Sequence, residues 1–330
     1  MKFGLDYLTP FTIKDYLGRH EGHVLGVIGF GYPIELPATA RSPLWIDIPV
    51  LDEAGTSLEV WVSSAQVSSC DYEGVCGATD GNVLFGSVIL PQSSDETMQM
   101  LAKQAYMRIF SFLDHHAYPS LLRVWHYFPK ITEDENGLER YRGFNVGRHE
   151  AFVASARSIN EESIPAASVL GSKSGGLTVY FMAAKQPGKA VENPRQTSAY
   201  HYPQLFGPRS PIFVRALSAT LSGQQCFFIS GTASIVGYET VHQGDAEKQA
   251  GETLLNVRTL FQQIPLYDVT HGRILLKVYL RHLEHLAMVK AKVREEFGDR
   301  ASVVYLHSDI CRSDLLLEIE GAYFTEDVSV

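Results

Sequence analysis

The run Leu315–Glu320 reads LLLEIE. In an extended strand its side chains alternate between faces, so Leu316, Glu318 and Glu320 share one side. A carboxyl group set among leucines loses solvation, which disfavours its charged form and lifts its pKa toward the range of a general acid. Glu318 is the candidate acid and Glu320 reads as structural. The same pattern also fits an exposed strand face on which Glu318 is solvated or paired. An anionic substrate would call for arginine, whose planar guanidinium grips a carboxylate with two parallel hydrogen bonds. Arg148 follows FNVG at an expected helix start, where free N–H groups also favour anions. Arg209 lies in the turn FGPRSP, Arg281 closes KVYLR, and Arg195 and Arg215 are reserves in the same region. Taken singly, each fits a surface ion pair equally well. Gly231, in SGTAS, lets backbone approach a ligand closely. Cys311, in DICRS before Glu318, reads either as an inert space-filling thiol or as a second catalytic residue.

These residues must be positioned by elements, and the elements repeat. Residues 95–113 place Met98, Leu101, Ala105, Ile109 and Phe112 at helical spacing, with Ser93 and Glu96 as a capping box. The apolar strand LLRVWHYF (121–128) follows. Residues 245–262 repeat the arrangement, with Asp245 as cap and Ala250, Leu254, Val257 and Phe261 as the buried face, leading into ILLKVYL (274–280). Short helices are expected at 147–157 and 285–297. After them come strands at 177–184 in the first copy and at 302–306 and 315–321 in the second. The pattern implies an α+β fold of mixed sheets with helices on one face, built by duplication. Residues 1–90 read as a sheet-rich degenerate unit, 91–195 as a central unit and 196–330 as a C-terminal unit carrying the acid. The proline-rich stretch 185–211 reads as an ordered connection.

The chain has 330 residues, of which 45% are hydrophobic and 20% charged, and a net charge of −9. That balance favours neither a nucleic-acid nor an anionic-membrane partner, so neither is expected, and any anionic substrate must be held by local arginines against the overall field. The N-terminal segment has no apolar core suited to a signal peptide, and no stretch approaches about 18 uninterrupted apolar residues. The four cysteines, Cys70, Cys76, Cys226 and Cys311, fit neither a CxxC pair nor a zinc half-site. A reduced cytoplasmic protein with no metal is expected, the pairs His115–His116 and His282–His285 reading as surface histidines. GSKSGG (171–176) and GFG (29–31) lack the spacing of a nucleotide loop, and Ser230 and Ser234 lie in no nucleophile elbow.

Two family resemblances enter here. CFFISGTASIVGYETVHQGDAEKQAGETLLNVRTLF (226–261) and LLLEIEG (315–321) resemble the small trimeric imine deaminases of the RidA or YjgF family. The deaminases carry an arginine on the strand before Glu-Ile-Glu. Here that stretch is SVVYLHSDICRS, without a clear counterpart, which argues against imine deamination. Five motifs in order resemble the chorismatases: RVWHYFPKI (123–131), YRGFNVGRHEAF (141–152), NPRQTSAYHYPQLFGPRSPIFVRA (193–216), FISGTASIVGYETVHQGD (228–245) and DICRSDLLLEIEG (309–321). That resemblance implies three related units with pseudo-threefold symmetry and a site between the central and C-terminal units. It implies a cofactor-independent, monomeric enzyme that releases pyruvate from chorismate. Glu318 would be the acid, Arg148, Arg209 and Arg281 the carboxylate anchors, and Tyr200 a substrate contact. Gly231 with Cys311 resembles the members that form 3-hydroxybenzoate, some of which also give 4-hydroxybenzoate. The alternatives are hydrolysis to a dihydroxycyclohexadiene carboxylate, an imine or enamine deaminase, and a non-catalytic small-acid binding protein.

Overall fold

Apolar runs broken by turns build three sheets in a computed structural model that describes residues 2–40, 43–264 and 272–325. The first sheet contains β1 (Gly4–Leu8), β2 (Val24–Gly31), β3 (Leu44–Ile46) and β4 (Thr56–Val62), in the order β1-β4-β2-β3. Helix α1 (Ile13–Arg19) lies between its first two strands. The second contains β5 (Ser68–Ser69), β6 (Cys76–Thr79), β7 (Val83–Leu90) and β8 (Ser120–Pro129), with helix α2 (Met98–His116) before β8. The small hairpin β9 (Asp134–Glu135) and β10 (Leu138–Glu139) and helix α3 (Arg140–Ala154) precede its last strands, β11 (Ala166–Ser172) and β12 (Leu177–Ala184). Its order is β11-β8-β12-β7-β6-β5.

The third sheet takes β13 (Lys189–Val191), β14 (Ala216–Leu221) and β15 (Gln224–Thr232). A hairpin of β16 (Ile235–Val236) and β17 (Glu239–Thr240) leads to helix α4 (Ala246–Phe261). Then come β18 (Gly272–Leu280), helix α5 (Leu286–Phe297), β19 (Ala301–His307) and β20 (Leu317–Thr325), giving the order β13-β14-β15-β20-β18-β19. The fold is α+β. Strands β5 to β7 are hydrogen-bonded into the second sheet and β13 into the third. The sheets therefore divide between Val62 and Ser68 and between Ala184 and Lys189, not at the 90 and 195 read from sequence.

The three sheets share one register. In each, a strand is flanked by a parallel and an antiparallel neighbour: β2 by β3 and β4, β8 by β11 and β12, β18 by β19 and β20. Phe30 faces Ile46 and Ser57; Tyr127 faces Leu170 and Thr178; Tyr279 faces Leu306 and Glu318. Two residues earlier on the central strand, Glu59, Tyr180 and Glu320 occupy matching places opposite Ile28, Trp125 and Lys277.

Helices cover one face of each larger sheet. The expected faces of α2 and α4 are buried, as their spacing requires. Asp245 caps α4 by accepting from the Lys248 amide at 3.0 Å. Asp245→Ala is expected to cost about 1 kcal/mol of stability in chemical denaturation, with catalysis unchanged. The Ser93–Glu96 pair forms, but ahead of α2. Thr97 is the cap, because its extended backbone turns its hydroxyl to the Met100 amide. Strand β11, absent from the sequence reading, follows α3 and pairs in parallel with β8.

On the opposite faces the sheets meet. Trp61, Trp125, Tyr127, Tyr180, Tyr279 and Phe228 join one apolar cluster there. Within it Lys277 Nζ reaches Glu59 at 2.6 Å, Glu320 at 2.8 Å and the Tyr180 hydroxyl at 2.8 Å, so one ammonium ties all three sheets together.

Candidate active site

Where β11 of the second sheet bridges residues 214 and 310 beside the third, a cavity of about 200 Å3 opens. Its walls come from the start of α3, the 202–215 connection, the end of β15, and the loop between β19 and β20. Glu318 faces into it from β20 and is only 4% exposed. Burial lifts its pKa to about 8, and the nearby charge of Glu320 adds to the lift while Arg123 opposes it. Glu318 is thus uncharged at neutral pH although Glu320, on the same strand face, is ionised. Burial pushes Glu320 up too, but Lys277 and Arg123 more than offset this and hold it below its ordinary value.

Opposite Glu318 the pairing of β15 with β20 slips between Ile229 and Thr232, and Gly231 sits in that irregularity. A Cβ placed on Gly231 would lie 1.9 Å from Glu318 Oε1. Glycine is therefore required by the carboxyl, not by backbone conformation. Gly231→Ala is expected to fold but to displace the acid, lowering kcat about 10- to 100-fold and changing the ring product. Steady-state pyruvate release and chromatography check this. Cys311 shares the cavity, and burial with the nearby Glu318 charge pushes its thiol to about 12. It is a neutral, apolar wall group there, not a thiolate nucleophile.

The arginines are placed less as expected. Arg215, a reserve from sequence, lines the cavity. It donates to the Thr197 carbonyl at 2.7 Å and the Tyr202 hydroxyl at 2.6 Å, and its Nε has no partner. Arg148 is fully buried, but in the third turn of α3 instead of at a helix start, because the helix begins eight residues earlier at Arg140. The helix-terminus argument for Arg148 therefore fails. Its guanidinium bonds Asn145 at 3.2 Å, leaves Nε and Nη1 without partners, and acts electrostatically on the wall residue Tyr141.

Arg281 does not face the cavity. It donates to the carbonyls of Leu315, Ile310 and Arg312 and to Asp309 at 2.5–3.0 Å, so its donors are spent bracing the loop that carries Cys311. Arg195 is likewise committed to Asn256 and Glu252. Arg209 is exposed beside His149, outside the cavity wall. Tyr200 packs against His201, and the wall tyrosine of TSAYHYP is Tyr202, two residues on.

Sequence reading missed Arg142 and Arg312, both on the wall. Arg312 stacks 4.2 Å from the Phe206 ring centroid and donates to the Tyr238 carbonyl at 2.9 Å. Its signal was its position beside Cys311. Arg142 was hidden because α3 was read as starting too late. Among the described residues no group of three or more His, Cys, Asp or Glu is placed to hold a metal ion. No helix among them is long and apolar enough to cross a membrane.

Comparison with known proteins fits this geometry. Residues 59–183 match the family model "Chorismatase FkbO/Hyg5-like, N-terminal". A 3-hydroxybenzoate synthase of Streptomyces hygroscopicus is 36% identical over 314 residues, covering 91% of each chain. The chain belongs to the chorismatase family. A chorismatase of Streptomyces rapamycinicus is 38% identical over 278 residues, covering 80% of this chain and 81% of that one. A chorismatase crystal structure superposes with a TM-score of 0.85 at 30% identity, covering 97% of this chain and 98% of that one. Membership makes this chain an enzyme, and the cavity at Glu318 is its candidate chorismatase site.

Proposed function

We propose that the protein splits chorismate into pyruvate and 3-hydroxybenzoate, with Glu318 as general acid. The observation that carries the proposal is a carboxyl held uncharged, with its pKa at about 8, in a small cavity walled by arginines. Chorismate offers two carboxylates and an enol ether. Protonating the methylene carbon of that ether makes an oxocarbenium ion. The ring C–O bond then breaks, and its electron pair remains on the oxygen that becomes the ketone of pyruvate. A group that can give up a proton near neutral pH, beside cations that already hold the carboxylates, is what this step needs.

Arg142, Arg215 and Arg312 stand on the wall as the direct anchors, and Tyr202 fixes Arg215. Arg148, with two unpartnered guanidinium nitrogens, supports the same anionic end through Tyr141. Arg209, Arg281 and Tyr200 take no direct part in this arrangement. Arg281 shapes the loop instead.

With chorismate filling the cavity, Cys311, Leu315, Ile235 and Phe213 set apolar surface beside the acid in place of water. The adjacent ring hydroxyl therefore traps the electron-deficient ring carbon, losing its proton as an epoxide forms. Reopening of the epoxide, with uptake of one proton by oxygen and loss of one from the ring carbon, gives 3-hydroxybenzoate. No water is consumed and the atoms of chorismate are shared between two products; opening in the other sense would give 4-hydroxybenzoate. The name of the Streptomyces hygroscopicus relative agrees with this product.

A monomer, a cytoplasmic location and a pseudo-threefold arrangement of the units belong to the same proposal. The shared register of the three sheets supports the last. The test is purified protein with chorismate, pyruvate release coupled to lactate dehydrogenase, and chromatography of the ring product. Pyruvate with 3-hydroxybenzoate is expected. A non-aromatic diol would overturn the product assignment, and absence of pyruvate would overturn the function.

A further inference from the structure

We propose that Glu320 is a positioning residue for the acid: a fixed negative charge on the same face of β20 that holds Glu318 uncharged. The inference rests on the chorismatase reading and adds a role for a residue that touches neither cavity nor substrate. Glu320 is completely buried, yet it gathers a full set of donors from two sheets. Arg123 reaches one oxygen at 2.5 Å, and the Ser168 hydroxyl donates to the same oxygen. Lys277 at 2.8 Å and the Tyr279 hydroxyl at 2.9 Å serve the other. With two cations and two hydroxyls aimed at it, this carboxyl stays ionised.

Glu318, two residues away, is treated in the opposite manner. Tyr279 is its register partner on β18 but gives its hydroxyl to Glu320. Among the described residues no group donates a hydrogen bond to Glu318. The charges that face it are the Glu320 carboxylate on its own strand and Arg123 from β8, with the neutral Cys311 thiol on the loop before β20. Arg142, Arg215 and Arg312 stand around the cavity. Burial chiefly keeps Glu318 uncharged and the Glu320 charge adds to it, whereas the donors gathered on Glu320 keep that carboxyl ionised. Arg123, the cation that favours ionisation of Glu318, gives its close contact to Glu320 instead.

The test is the pH dependence of kcat/KM for pyruvate release. Wild-type turnover of chorismate is measured first, and its absence would overturn the chorismatase reading itself. In wild type the rate falls above about pH 8. In Glu320→Gln the alkaline limb moves down by about one pH unit, so activity drops about fivefold at pH 8 and about tenfold by pH 9.5, and stays within about threefold at pH 6. Glu320→Asp, which keeps the charge, restores the limb. Should Glu320→Gln not fold, the double variant Glu320→Gln/Lys277→Gln is measured; because it also removes the neighbouring cation, its limb must move down by less than one unit, and a limb at the wild-type position overturns the proposal. A limb that stays in place while activity falls evenly at all pH values would make Glu320 merely structural and overturn the proposal.

Discussion

Glu318→Gln is expected to release pyruvate about 1000-fold more slowly than wild type while unfolding at a higher denaturant concentration. The loss follows from removing the one carboxylic acid in the cavity wall that is both uncharged and ready to give up its proton near neutral pH, since positioned acids contribute about 100- to 10,000-fold. The gain in stability follows from linkage. In the folded chain Glu318 titrates at about 8, against an ordinary 4.5. Between those values the folded state keeps a proton that the unfolded chain gives up. Stability therefore falls as pH rises through that window and is flat on either side of it. Glutamine has no proton to lose and escapes that penalty, which is on the order of 3–5 kcal/mol at pH 8 and close to zero at pH 4. Denaturation at both pH values reads it out. A variant no more stable than wild type at pH 8 would show that the carboxyl is not held uncharged.

Two residues along the strand the sign reverses. Lys277→Met is expected to destabilise the fold by about 3–5 kcal/mol at pH 7.5, because it leaves Glu59 and Glu320 buried with one cation fewer between them. Glu320 has a lowered pKa, so its contribution to stability is present above its unfolded value and is lost as pH falls through its folded value. The deficit of the variant accordingly shrinks toward pH 4. A loss below about 1 kcal/mol at pH 7.5 would show that the ammonium does not secure the junction of the three sheets.

Much of this was legible in the chain. Helical spacing gave α2 and α4 their buried faces, alternation put Glu318 and Glu320 on one side, and Gly231 and Cys311 do meet Glu318. The arginines were harder. Spacing reports the local period of an element but not whether a guanidinium will find carbonyl oxygens to occupy it. Arg281 ends a strand in sequence like an anchor awaiting a ligand, and in the fold its donors are taken by the 309–315 loop. Tyr200 and Tyr202 lie only two residues apart, one inside a single helical turn and the other just after it, with no period to choose between them. The central ion network left a signal that went unread. Glu59 in SLEVWV, Arg123 in LLRVWHYF and Lys277 in ILLKVYL are each a single charge inside an apolar strand. Such charges are buried only when they pair with one another.

The most direct test of the account is the pH profile of kcat/KM for pyruvate release from chorismate by the wild-type enzyme. If Glu318 acts as a protonated acid, the rate is flat from about pH 6 and falls about tenfold per unit above about pH 8, the value at which burial places its ionisation. A rate that instead climbs through the ordinary carboxylate range and stays level to pH 10 would mean that the working form is the carboxylate, and the assignment of Glu318 as the acid would be wrong.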